Sequence, residues 1–161
     1  MQKLVKNNGY VIDCEDDDNS WFSGFAECRF AEAGRQPDYY IDWSGKTMDG
    51  KECVMELKGR KYKHDDFKDA VIECYKLKEL ENQRDYHGKV AYYINHWSDG
   101  IISIHRIAVQ DLREPQIEVM HAMNKGYGGR TESGKAHLDM RDAWLFNEDG
   151  KCVRPPIRYD E

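Results

Sequence analysis

Long apolar runs are missing from this 161-residue chain. None approaches the ~20 residues that a membrane-spanning helix needs. The opening MQKLVKNNGYVIDCEDDD lacks a continuous apolar stretch and a small-residue cleavage site, so no secretory signal is expected. No C-x-x-C pair occurs. The five cysteines, at 14, 28, 53, 74 and 152, are odd in number and predict reduced, mostly buried thiols in a cytoplasmic protein. A zinc site drawn from Cys14, Cys28, Cys152 and the scattered histidines has no recognisable ligand spacing. Repeats are absent and Gly and Pro are ordinary at 13 and 4, which removes collagen, solenoids and wholesale disorder. Net positive charge is also lacking. Lys plus Arg is 24 and Asp plus Glu is 30, a net of −6, which argues against sequence-blind coating of nucleic acid.

What is present is enough for one domain spanning 1–161, with a modest core under a charged surface. Apolar residues make up 40% and charged residues 34%. A chain this long buries roughly two-thirds of its surface on folding. The charge is unevenly spread. Asp13, Glu15, Asp16, Asp17 and Asp18 form an acidic run, whereas KGRKYK at 58–63 is basic.

Periodicity predicts the elements. Residues 1–20 read as a strand or irregular lead-in, then an acidic loop. Ser20 caps a helix from Trp21 to about Ala33, stopped by Gly34. PDYYIDW (37–43) and ECVMELKGR (52–60) read as strands joined by turn material. The stripe Phe67, Ala70, Val71, Cys74, Leu77, Leu80 predicts a helix from about Asp65 to Gln83. KVAYYINHW (89–97) and IISIHRIAV (101–109) are further strands, and Pro115 opens a short helix reaching Met123. The glycine-rich segment from Lys125 is expected to be a mobile loop, and the tail packs back through Leu138, Trp144, Leu145 and Phe146. The expected class is α/β, a mixed sheet flanked by helices, with its core at about 21–109.

SGKT at 44–47 matches the end of a phosphate-binding loop, but Tyr40 stands where the pattern needs glycine, and no helix follows the lysine. The stronger pattern is Pro37-Asp38, a strand, a turn, and a strand carrying Glu56-Leu57-Lys58. Strand side chains alternate, so Glu56 and Lys58 share a face, and Asp38 adds a carboxylate from the neighbouring strand. Two carboxylates and a backbone carbonyl suit a hard divalent cation, and a lysine beside it suits phosphodiester hydrolysis.

PDYYIDW, CVMELKGRKY, the following helix and KVAYYINHW together resemble the core of the PD-(D/E)xK nuclease superfamily, the restriction-endonuclease-like group that includes junction resolvases and phage and repair nucleases. The resemblance covers about residues 21–109. It implies that Asp38 and Glu56 hold Mg²⁺, with Mn²⁺ substituting and the Leu57 carbonyl assisting, and that Lys58 is the catalytic lysine. It also implies a glutamate on the first helix, Glu27 in GFAECRF, or Glu32 as the fallback. The family usually has a strand between that helix and the Asp strand, and only nine residues separate Glu27 from Pro37. The implied activity is a metal-dependent DNA endonuclease of phage or mobile-element type, acting in the cytoplasm; many such nucleases cleave both strands as homodimers. The rival is an inert nucleic-acid- or protein-binding module on the same fold. Arg60, Lys61 and Lys63 would grip the DNA backbone. Apart from the resemblance, Lys125, Arg130 and Lys135 in the glycine-rich segment could form a flexible DNA-contacting loop, although such a segment is more often just a loop. Tyr92, Tyr93 and Trp97 fit a core better than a base-stacking platform.

Register decides which aspartate joins Glu56. A two-residue Asp49-Gly50 turn would mix apolar and charged side chains on both faces, so a looser turn is expected. One such register sets Asp38 opposite Glu56, the expected arrangement, and a shorter loop sets Asp42 there instead. The two aspartates lie roughly 13 Å apart along an extended strand, so they cannot both serve one ion.

Overall fold

The computed structural model describes residues 4–7, 10–13, 20–36, 41–108, 112–124 and 129–157. A mixed sheet of nine strands runs β1 (Leu4–Asn7), β2 (Tyr10–Asp13), β3 (Phe30–Arg35), β4 (Trp43–Thr47), β5 (Glu52–Gly59), β7 (Val90–His96), β8 (Ile102–Arg106), β11 (Trp144–Phe146) and β12 (Cys152–Arg154) in spatial order. Among the described residues, the β2–β3 and β5–β7 pairs alone are parallel. A second sheet has the order β6 (Asp69–Glu73), β10 (Gly129–Asp139), β9 (Gln116–Asn124). The helices are α1 (Phe22–Arg29) and α2 (Cys74–His87). The chain therefore has the expected α/β class, with a mixed sheet and helices on its faces. No helix among the described residues is long and apolar enough to cross a membrane.

The sheet separates two apolar clusters, and strand parity assigns side chains to each. Cys53, Met55 and Leu57 of β5 join Trp43 and the α1 residues Phe22, Phe25 and Ala26 on one face. Val54 of β5 joins Ala91 and Tyr93 of β7, Leu77 and Leu80 of α2, and Ala70, Ile72, Ala136 and Leu138 of the second sheet on the other. Each fully buried large side chain contributes about 1.5–3 kcal/mol. Glu56 stands between Met55 and Leu57 in sequence, so it projects into the α2 face. Tyr93 is its register partner on β7.

Several elements differ from the sequence expectation. The first helix ends at Arg29 rather than near Ala33, because residues 30–35 pair with β4 as a strand. That strand fills the place the family resemblance required. The N-cap of α1 is Trp21 rather than Ser20, whose carbonyl accepts from the Ser23 hydroxyl. SGKT lies on β4 rather than in a turn. A β-carbon at Gly45 would collide with the Glu32 carbonyl of β3, so glycine serves close strand approach there. The helix expected from Asp65 begins only at Cys74, and residues 69–73 are a strand on β10. The helix expected up to Met123 is strand β9, and most of the glycine-rich segment is strand β10, with 125–128 outside the described residues. Cys28 and Cys152 are exposed rather than buried, and Cys14 lies outside the described residues. In the tail, Leu138, Leu145 and Phe146 are buried, and the Ile157 amide donates to the Arg141 carbonyl at 2.7 Å.

Candidate metal and phosphodiester site

The β4–β5 hairpin builds the site. Trp43 pairs with Met55 and Lys46 with Glu52, leaving a short turn through Met48, Asp49 and Gly50. Gly50 has φ 85°, the left-handed region that favours glycine, and its amide donates to the Thr47 carbonyl at 2.9 Å. The even register expected from the sorting of faces is present, but in the shorter-loop form. Continued one step beyond Trp43, it sets Asp42 opposite Glu56, and the Asp38-opposite-Glu56 register is corrected. Asp38 itself lies outside the described residues, as does most of the strand expected at 37–43. Ile41, two residues before Trp43 and so expected on its face of an extended strand, joins the α2-side cluster instead.

Asp42 is half-buried, and its Oδ2 accepts a hydrogen bond from the Leu57 amide at 2.9 Å. Glu56 is 1% exposed. Burial pushes its carboxyl up to about 7, the Asp42 charge pushes the same way, and Lys76 opposes both. Lys76 Nζ, from α2, lies 2.6 Å from Glu56 Oε1 and 3.4 Å from Glu73 Oε2. Lys135 Nζ of β10 reaches Glu73 Oε1 at 3.2 Å. Burial disfavours the Lys76 charge, but Glu56 and Glu73 outweigh it and hold the ammonium above its ordinary value. Lys58 is exposed, and its charge helps keep Glu73 ionised. Glu56 and Lys58 both line one cleft with Lys76.

The donor set fits a hard divalent cation. Glu56 Oε2 is buried and has no hydrogen-bond donor among the described residues. Lys76 offsets charge at Glu56 Oε1, but two further carboxylates, Asp42 and Glu73, and the donorless Oε2 leave an excess of negative charge that a bound cation would neutralise. Asp42 and Glu56 would hold such an ion, with the Leu57 carbonyl on the same strand available as a third oxygen.

The other residues singled out in the sequence take varied places. Glu27 is on α1, whose buried side chains Phe22, Phe25 and Ala26 pack on the face of the sheet opposite Glu56. Glu32, the fallback, is an exposed residue on β3. Arg60 is turned inward. Its Nε donates to Asn95 Oδ1 at 2.7 Å and one terminal nitrogen donates to the Tyr93 hydroxyl at 2.7 Å and to the Val71 carbonyl. Lys61 and Lys63 are exposed. Tyr93 and Trp97 are core residues. Lys76, Glu73 and Lys135 were not anticipated together; the only local signal is the i, i+3 spacing of Glu73 and Lys76, which counts once the helix is known to start at 74. His64, Asp65 and Asp99 also cluster, but His64 Nδ1 already contacts Asp99 Oδ2 at 2.6 Å in solvent.

No family model matches the chain, and no curated protein matches it. Among solved structures, the chain is similar to Hjc, a Holliday junction resolvase from the archaeal hyperthermophile Archaeoglobus fulgidus. The identity is 13% and the TM-score 0.48, over 74% of this chain and 83% of that one.

Proposed function

We propose that this chain is a metal-dependent endonuclease that hydrolyses DNA phosphodiester bonds. The observation that carries the reading is the buried Glu56 carboxylate, with one oxygen lacking a donor, set beside Asp42 and on the same strand face as Lys58. Asp42, Glu56 and the Leu57 carbonyl are the proposed ligands of Mg²⁺, for which Mn²⁺ substitutes. When bound, the ion supplies charge neutralisation at the phosphate and acidifies a coordinated water. Lys58, exposed at the cleft edge, would orient the attacking water and offset charge on the phosphoryl oxygens. Lys61 and Lys63 follow it and contact the flanking phosphates. A phage or mobile-element role, a cytoplasmic setting and a homodimer cleaving both strands belong to the same proposal.

The test is incubation of the pure protein with linear duplex, single-stranded and branched DNA in Mg²⁺, Mn²⁺ or EDTA. Cleavage that requires the cation and disappears in Lys58→Ala is the expected result. Lys58 is exposed, so its loss leaves the fold intact. Wild-type cleavage by Lys58→Ala would refute the catalytic assignment, and DNA binding without cleavage would favour the inert module.

A further inference from the structure

The candidate site opens onto a cleft of about 610 Å³ between the end of β5 and the second sheet. That volume lies within the ~300–1,000 Å³ of ligand pockets. One wall carries Glu56, Lys58 and Lys76, and the other proposed ligands, Asp42 and Leu57, line an adjoining cavity that shares Lys58 and Lys76 with it. The floor is apolar, with Ile72 and Trp97 buried there. The lip carries two exposed aromatic rings, Tyr62 at 56% and Phe67 at 53%. Their centroids are 5.1 Å apart and the planes cross at 88°.

The lip is built rather than loose. The Ser98 amide donates to the Tyr62 carbonyl at 2.9 Å, and the Lys63 amide donates to Asp66 Oδ2 at 2.9 Å. Arg60, itself a lining residue, ties Val71 and Tyr93 together through one terminal nitrogen. Five Lys or Arg side chains line the cleft against three acids, in a chain whose net charge is −6.

A duplex keeps its bases stacked inside and offers a protein surface its phosphates, for which cations suffice. An apolar floor and two solvent-facing rings then have no partner. A single strand offers both a backbone and free base faces, and aromatic rings beside a cationic groove are what such strands bind. We propose that this cleft receives an unstacked base of single-stranded DNA next to the phosphate at Glu56 and Lys58, with the base against Tyr62 and Phe67. The inference rests on the nuclease reading and narrows its substrate to single-stranded or branched DNA.

The test measures fluorescence anisotropy of a labelled oligothymidylate, and of a blunt duplex of equal length, with the full chain in EDTA. Wild type is compared with Tyr62→Ala/Phe67→Ala and with Tyr62→Phe/Phe67→Tyr. The double alanine variant should lose about tenfold or more in single-strand affinity. Its duplex affinity should be unchanged, and the aromatic swap should bind like wild type. A 2-aminopurine placed in the strand should be quenched by wild type and not by the alanine variant. Unchanged single-strand affinity in the alanine variant, an equal loss for duplex, or no single-strand binding by wild type would each overturn the inference. The two readings fail separately. Cation-dependent, Lys58-dependent cleavage of duplex that ignores Tyr62 and Phe67 keeps the nuclease and removes the base site. Aromatic-dependent strand binding with no cleavage keeps the base site and removes the nuclease.

Discussion

The Leu57 amide donates to Asp42 Oδ2 at 2.9 Å across 15 residues of chain. Asp42 thus extends the β4–β5 pairing with its side chain just before β4 begins, and the bond fixes its carboxylate beside Glu56. Its carboxylate and the Glu56 Oε2 that lacks a donor among the described residues form the proposed cation seat.

Asp42→Asn should abolish cation-dependent cleavage, whereas Asp38→Asn should retain it. Removing a supporting group near a metal typically costs about 10–100-fold, and removing a ligand should cost at least that. Parallel cleavage time courses in Mg²⁺ check it. An active Asp42→Asn beside a dead Asp38→Asn would reverse the assignment while leaving a nuclease.

Lys76→Met should destabilise the cation-free protein by about 1–3 kcal/mol at pH 8 and by less at pH 5. At pH 8 the variant must bury an ionised Glu56 without its ammonium partner, or hold it protonated at a cost that grows with pH. The Glu56 carboxyl is already raised to about 7, so its contribution to stability is present below its ordinary value of 4.5 and lost as pH rises through 7. Urea unfolding of Lys76→Met and of Lys76→Met/Glu56→Gln at both pH values tests this. A Lys76→Met penalty that does not depend on pH would mean that Glu56 is not the group being compensated.

Arg60→Lys should cost stability, about 1–3 kcal/mol, because an ammonium cannot reproduce the planar fork to Asn95, Tyr93 and the Val71 carbonyl. Lys61→Ala and Lys63→Ala should leave the melting temperature nearly unchanged, since both are exposed. Each should instead reduce the salt slope of duplex binding by about 0.9 if it contacts a phosphate. Thermal melts and a salt titration separate the roles, and an Arg60→Lys variant that melts like wild type contradicts the bracing role.

His105 is fully buried on β8, and its Nε2 meets the Asp139 carbonyl at 2.9 Å. Burial pushes its pKa from 6.5 down to about 4. The unfolded chain therefore takes up a proton as pH falls below 6.5 while the folded chain does not, so stability drops between pH 6.5 and 4. Relative to His105→Gln, wild type should lose about 2 kcal/mol between pH 7 and 5. The Glu56 contribution is common to both proteins and cancels in the difference. A difference that stays flat with pH would show that His105 does not titrate this way.

The E-x-K strand was legible because strand alternation is a local property. Glu56 and Lys58 must share a face whatever β5 pairs with, and Cys53, Met55 and Leu57 must share the other. The strongly periodic Leu77 and Leu80 likewise marked the part of α2 that is helical. Residues 69–73 were misread because Ala70 and Val71 fit a helical stripe as well as a strand, and pairing with β10, over 60 residues later, selects the strand. Strand β3 was hidden in the same way, since FAEAGR carries no strong strand signal and forms one by lying against β4. The identity of the aspartate beside Glu56 depended on how the hairpin closed, which the left-handed Gly50 and the buried Trp43 settle together. Lys76, Arg60 and the cleft walls come from segments far apart in the chain. Sequence alone determined which chemistry β5 presents; the tertiary structure decided its neighbours, because register and sheet-to-helix packing are set by contacts that no local pattern encodes.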